Sequence, residues 1–264
     1  MNNKKHFQGY EALKKRLNIH RELKKFRKDS MEPFLKLLDK EQEFTLFTND
    51  IYRYREAFHF FYLSLTRFLL EMSIAVRWSN GPYYVRKYGG KYSESQRKLA
   101  NKYNVISKYL EYDFFNCILH SRVLMDRTIG LSRYFIINNQ LPSFTSFNNH
   151  KKFFKKLKEN SKEYGEFEDY AHYIREKTDW FDIPLKIVRD KYLVHIGPKH
   201  MRFFGYPGIG HELSLVLVLP VGEEKKPLSK VNCISVSIPQ LANDIQIFLI
   251  WFSNYGINCL EKER

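Results

Sequence analysis

The sequence predicts a mainly α fold, a helical bundle with one β-hairpin at about 212–238 before a C-terminal helix. Three observations carry that prediction. The 264 residues hold only 12 Gly and 9 Pro, too few for a turn-dense all-β chain. Apolar residues recur at helical spacing along most of the chain. Residues 212–219 and 231–238 alone read as short β-branched runs, on either side of the polar stretch from Pro220 to Pro227. Burial-seeking surface is plentiful, with 44% hydrophobic residues that include 22 Phe, 18 Tyr and 3 Trp. A disordered chain does not carry such a load.

Taken in order, residues 10–28 read as a charged helix, and a second short helix starts near Pro33, a residue tolerated in a first helical turn. Asn49 is placed to cap a long helix from about 50 to 77 that holds Phe58, Phe61, Leu65, Leu69 and Ile74. Asn80-Gly81-Pro82 ends it, and the Gly- and Tyr-rich stretch 81–92 reads as a surface loop. Ser93 and Gln96 have capping-box spacing for the next helix. A core-patterned segment runs from about 106 to 137, with Gly130 as a candidate kink. Further helices are expected at 147–160, 166–178 and 181–194, then a stop at Gly197-Pro198, and finally a helix from Pro239 to about Leu260. The best boundary is the loop at 80–92. It sets an N-terminal helical region, 1–92, against a bundle over 93–264, unless the first is an extension of the second.

Several classes are excluded at this level. Cys117, Cys233 and Cys259 are odd in number and form no CxxC pair, so neither a disulfide framework nor a zinc site is expected, and the compartment reads as reducing and cytoplasmic. The greasiest stretch, Ala57 to Met72, is broken by His59, Arg67 and Glu71, and Ile245 to Phe252 is too short to span a bilayer. No membrane span, leader segment, metal or cofactor is expected. No P-loop, GxSxG, HExxH or Rossmann glycine set occurs. The turn Gly205-Tyr-Pro-Gly208-Ile-Gly210 lacks the strand–turn–helix setting of a phosphate cradle.

The charge is one-sided. Forty-four Lys and Arg against 29 Asp and Glu give +15, a field whose natural partner is a polyanion such as RNA. One basic cluster runs from Lys4 to Lys28. The other, from His150 to Lys158, sets Phe153, Phe154 and Leu157 on one helical face and points Lys151, Lys152, Lys155 and Lys158 elsewhere. Those lysines read either as phosphate contacts or as a solvated helix face.

One segment carries chemistry: Ile187-Val-Arg189-Asp190-Lys191-Tyr-Leu-Val-His195-Ile-Gly197-Pro198. It resembles the HEPN superfamily, all-helical proteins marked by R-[N/D]-K-x-x-small-H, whose positions Arg189, Asp190, Lys191, Val194 and His195 occupy here. Arg53 and His59 share the Arg-to-His spacing but lack the residues between. The resemblance covers roughly 105–260. It implies a homodimeric bundle acting as a metal-independent endoribonuclease, in antiviral defence or paired with an antitoxin such as a nucleotidyltransferase; other members bind RNA without cutting it.

The implied roles suit the residue types. RNA brings its own nucleophile, the 2′-hydroxyl. His195 would move the proton as general acid and base. Arg189 would hold the phosphate and stabilise its extra charge. Asp190 would orient one of them, and Lys191 or His200 would bind a flanking phosphate. On an α-helix, six residues mean about 9 Å of rise and about 120° of rotation. Arg189 and His195 therefore do not share one face, and a two-fold dimer would supply the composite cleft. The same residues also admit plainer readings. A His in a last helical turn is favoured by the helix dipole, and Arg189 could pair with Asp182 or Glu176. Asp126-Arg127 reads as a cleft-facing pair or an internal ion pair, while His59 and His120 read as core histidines.

Overall fold

The computed structural model describes residues 21–41, 45–136, 144–157, 167–195, 202–204, 216–221, 232–234 and 236–262. Helix α1 spans 21–41 without a break, where two helices were expected. Pro33 has no N–H, and its ring crowds the carbonyl four residues back. The chain absorbs that conflict in a π-turn, Arg27–Met31, where the Glu32 N–H donates to the Arg27 carbonyl five residues earlier. Leu23, Phe26, Met31, Phe34, Leu35 and Leu38 then all fall on the buried side.

Helix α2 (Thr45–Asn80) begins before Asn49, which therefore lies inside the helix and does not cap it. The expected loop at 81–92 is helical over its first half, α3 (Pro82–Lys87), with Pro82 at the tolerated first position. Gly89, at φ 72°, turns the chain out of α3, and the N–H of Gly90 donates to the Val85 carbonyl at 2.8 Å. The capping box forms as the spacing suggests. Gln96 N–H donates to Ser93 Oγ at 3.3 Å, and Ser93 N–H donates to Gln96 Oε1 at 2.9 Å. From there α4 (Glu94–Gly130) runs 37 residues and passes into a 3₁₀ turn, Leu131–Tyr134, so the segment expected to start near 106 is the second part of one longer helix.

Helices α2 and α4 are antiparallel partners. Trp78 stacks on Tyr103 at 4.0 Å, Phe68 meets Phe114 edge-on at 5.9 Å, and Phe60 stacks on His120 at 5.5 Å. The shorter helices α5 (Phe147–Leu157), α6 (Glu168–Glu176) and α7 (Asp182–His195) follow, with a 3₁₀ turn at Asp179–Phe181. Throughout its 14 residues α7 has π-helical hydrogen bonding. Helix α8 (Ile238–Lys262) closes the core: Phe252 packs on Phe34 of α1 and on Phe135, Phe248 on Phe147 of α5, and Trp251 stacks on Tyr173 of α6 at 3.6 Å. A single buried cluster runs from Leu23 to Leu260, so residues on both sides of position 92 share one core.

The mainly helical class stands. The hairpin expected at 212–238 is not part of this described packing. Most of that stretch lies outside the described residues, and only short antiparallel backbone fragments are described: β1 (Arg202–Phe204), β2 (Val216–Val221) and β3 (Asn232–Ile234). Among the described residues no helix is long and apolar enough to cross a membrane. Cys117 is buried and Cys259 half-buried, and neither forms a disulfide among the described residues.

Candidate functional site

The segment Arg189–His195 forms the last part of α7, which packs against α4. Arg189 and Asp190 are part-exposed and clasp one another: Arg189 Nε donates to Asp190 Oδ1 at 2.6 Å, with Nη2 at 2.5 Å from the same oxygen. Asp190 thus fixes the plane of the guanidinium. Asp182, one expected partner of Arg189, is taken by Lys151. The side chains of Lys191 and His195, and the whole of His200, lie outside the described residues.

Beneath this pair, α4 contributes two charges of its own. Arg122 is 6% exposed, its Nε donates to Asp126 Oδ2 at 3.1 Å, and its guanidinium lies 4.6 Å over the Phe181 ring. Its Nη1 is buried with no hydrogen-bond partner among the described residues. Burial lowers the Arg122 pKa, countered by Asp126. Burial also raises the Asp126 pKa, while Arg122 and the Phe147 N–H pull it down. That N–H donates to Asp126 Oδ1 at 2.7 Å, so Asp126 also anchors the start of α5, where the helix dipole favours a carboxylate. The charge of Arg189 is felt at both Arg122 and Asp126, and that of Asp190 at Arg122. Four alternating charges therefore share one seam between α4 and α7.

Arg122 is the residue that sequence reasoning missed. Its signal was the i, i+4 spacing to Asp126 on a helix face that is otherwise apolar. Asp126 itself faces this seam, whereas its neighbour Arg127 is exposed.

The lysines of α5 divide. Lys152 and Lys155 are exposed, as phosphate contacts would be. Lys151 is not: it is 3% exposed, and its ammonium donates at 2.9 Å to the Thr178 carbonyl, to Asp179 and to Asp182. Its expected place among the substrate-binding residues is corrected by the register of the helix. Phe147, His150, Lys151 and Phe154 are the buried residues of α5 at i, i+3, i+4 and i+7, so position 151 belongs to the core face. Asp179 is held below the usual carboxylate range by that hydrogen bond from Lys151. His150, buried beside Tyr170 at 2.9 Å, is pushed down to about 3 by its burial and is neutral at pH 7.

His59 is exposed and so is not a core histidine. His120 is half-buried against Phe60, and burial lowers its pKa. Among the described residues no group of three or more His, Cys, Asp or Glu is placed to hold a metal ion. Comparison with family models, with curated proteins and with solved structures finds no match for this chain.

Proposed function

We propose that the chain is a metal-independent endoribonuclease of HEPN type, acting in antiviral defence or beside an antitoxin partner. The observation that supports this reading is the part-exposed Arg189, oriented by Asp190 and near enough to the Arg122–Asp126 pair for its charge to be felt there. A guanidinium fixed in this way suits bidentate contact with a phosphate. The nearby Arg122 adds positive charge where a pentacoordinate phosphate would gain a negative one. His195, six residues on, takes the proton of the ribose 2′-hydroxyl and returns one to the leaving 5′-oxygen, leaving a 2′,3′-cyclic phosphate. Exposed Lys152 and Lys155 supply flanking phosphate contacts, with Lys191 and His200 nearer the motif. A homodimer completes the cleft in this reading, and the cytoplasm supplies the RNA. The hairpin over 212–238 belongs to it as well.

The test is cleavage of end-labelled RNA in excess EDTA. Wild type is expected to cut and leave cyclic-phosphate ends, while His195→Ala binds the RNA but does not cut. Equal cutting by both proteins would remove His195 from the chemistry.

A second reading is a non-catalytic RNA-binding or protein-interaction module, favoured by the exposed Lys152, Lys155 and Lys156 along α5. It expects binding that weakens steeply with salt, without cleavage by either protein.

A further inference from the structure

Most of the large apolar side chains left exposed among the described residues fall on two helices. On α2 they are Tyr52, Phe60, Leu63 and Leu70; on α4 they are Val105, Tyr109, Tyr112, Leu119 and Val123. Their spacing is not scattered. Positions 52, 63 and 70 share one phase of α2, and 105, 109, 112, 119 and 123 share one phase of α4, in each case opposite the buried face. Because the helices are antiparallel partners, the two stripes lie on the same side of the pair. Phe60 on His120 at 5.5 Å and Arg67 Nη2 at 3.1 Å from Asp113 Oδ2 mark the seam between them. The result is a set of exposed apolar side chains on the outer side of the helix pair, facing away from the core, with Tyr112 61% and Leu70 56% exposed. Exposed apolar side chains gathered on one side in this way mark an interaction surface.

The charge around this surface decides what it fits. Charged residues interleave with the stripes: Lys108 on α4 and Glu56 and Arg67 on α2 are exposed on or beside them. The α3 end of the helix pair is basic: Arg77, Arg86, Lys91, Arg97, Lys102 and Lys108 are all exposed. Glu94, the exposed acid there, is paired with Lys98 at 2.7 Å. From this we infer that the surface is the docking site of an acidic amphipathic helix of a partner protein. The partner's apolar stripe lies against α2 and α4, and its carboxylates meet the basic end. Paired helices accept a third helix through anchors at i, i+3, i+4 and i+7.

Two other occupants are tested alongside it. A second copy would set two basic ends of the same kind against each other across this face, and sedimentation tests for it. Single-stranded RNA stacks on aromatic rings, and Tyr52, Phe60, Tyr109 and Tyr112 are aromatic, so RNA is the rival occupant that the experiment must separate. The inference stands apart from the ribonuclease reading, since it uses none of Arg122, Asp126, Arg189 or His195.

The experiment uses the full chain and a designed, labelled peptide of about three heptads, with Leu along one face and Glu elsewhere. Two controls are a shuffled peptide of the same composition and a same-stripe peptide with Lys in place of Glu. By fluorescence anisotropy, the acidic striped peptide is expected to bind about tenfold or more tighter than either control. Leu70→Ser with Tyr112→Ser should abolish that preference while leaving the unfolding transition in place. Leu63→Ser with Leu119→Ser, the second pair, is expected to act alike. The proposal is overturned if the shuffled peptide binds equally, since charge alone would then suffice. It is also overturned if both paired variants keep the preference, if an oligouridylate displaces the peptide at equal strength, or if sedimentation finds the chain already self-associated through this face.

Discussion

Two single side chains show how burial sets the pH response of this molecule. Glu71 of α2 sits at the seam with α4 beside Asp113, which is 1% exposed, with Arg67 and the buried Cys117 as its other neighbours. Burial, then the hydrogen bond and charge of Asp113, push the Glu71 carboxyl up from 4.5 to about 8, against the opposing pull of Arg67. A carboxyl raised in the folded state holds its proton where the unfolded chain has already lost it. Its contribution to stability is therefore full below 4.5, falls as pH rises through the window to about 8, and is flat beyond. His150 acts at the other end: burial holds it neutral, so its contribution is lost as pH falls from 6.5 towards about 3. Glu71→Gln, which stays neutral at every pH, is expected to remove part of the alkaline decline and to raise the urea midpoint most near pH 8. Unfolding of wild type and variant side by side across that window checks this. Parallel pH curves would show that Glu71 carries its charge in the folded protein.

At the scale of elements, one close helix approach leaves little mark in the sequence. Helix α8 presents Gly256 to α1, and a Cβ built there would lie 2.4 Å from the edge of the Phe34 ring. Phe34 is fully buried and already meets Phe135 and Phe252 edge-on, so its ring can move only by displacing theirs. Inside an ordinary helix, Gly→Ala gains about 1 kcal/mol from propensity. Here overpacking opposes that gain at about 1–3 kcal/mol. Gly256→Ala is thus expected to lower stability by up to about 2 kcal/mol, and Gly256→Ala with Phe34→Leu to recover part of it, read from urea midpoints. A more stable Gly256→Ala would mean that the α1–α8 contact is looser than the ring geometry implies. Helix existence was legible in apolar periodicity, and the start of α4 in the Ser93–Gln96 spacing. The merger of two expected helices into α1 was not, because a π-turn leaves no mark in the hydrophobic pattern. The candidate site was legible in the same uneven way. The run at Arg189 could be found from residue types, whereas Arg122 and the burial of Lys151 depend on which helix faces meet.

For the whole molecule, the quantity most legible in the sequence is also the one that local contacts change least. Ion pairing within the chain leaves the surplus of +15 untouched. Several of these pairs, such as Lys98–Glu94 and Arg55–Glu32, lie at the surface, where an exposed pair contributes about 0–1 kcal/mol. The unpaired excess repels itself in the folded chain more than in the expanded one, because folding brings like charges closer. Raising ionic strength from about 0.01 M to about 0.15 M shortens the screening length from about 30 Å to about 8 Å. Over that range the repulsion across the molecule fades, while the buried Lys151–Asp182 contact is barely screened. The thermal midpoint is therefore expected to rise with sodium chloride over this range and then level off. Chloride is the salt to use, since sulfate would stabilise by exclusion from any protein surface. A midpoint that falls as chloride is added would mean that attractive pairs outweigh the surplus. The basic end of the α2–α4 pair would then be neutralised from within the chain, and the electrostatic argument for an acidic partner would go with it.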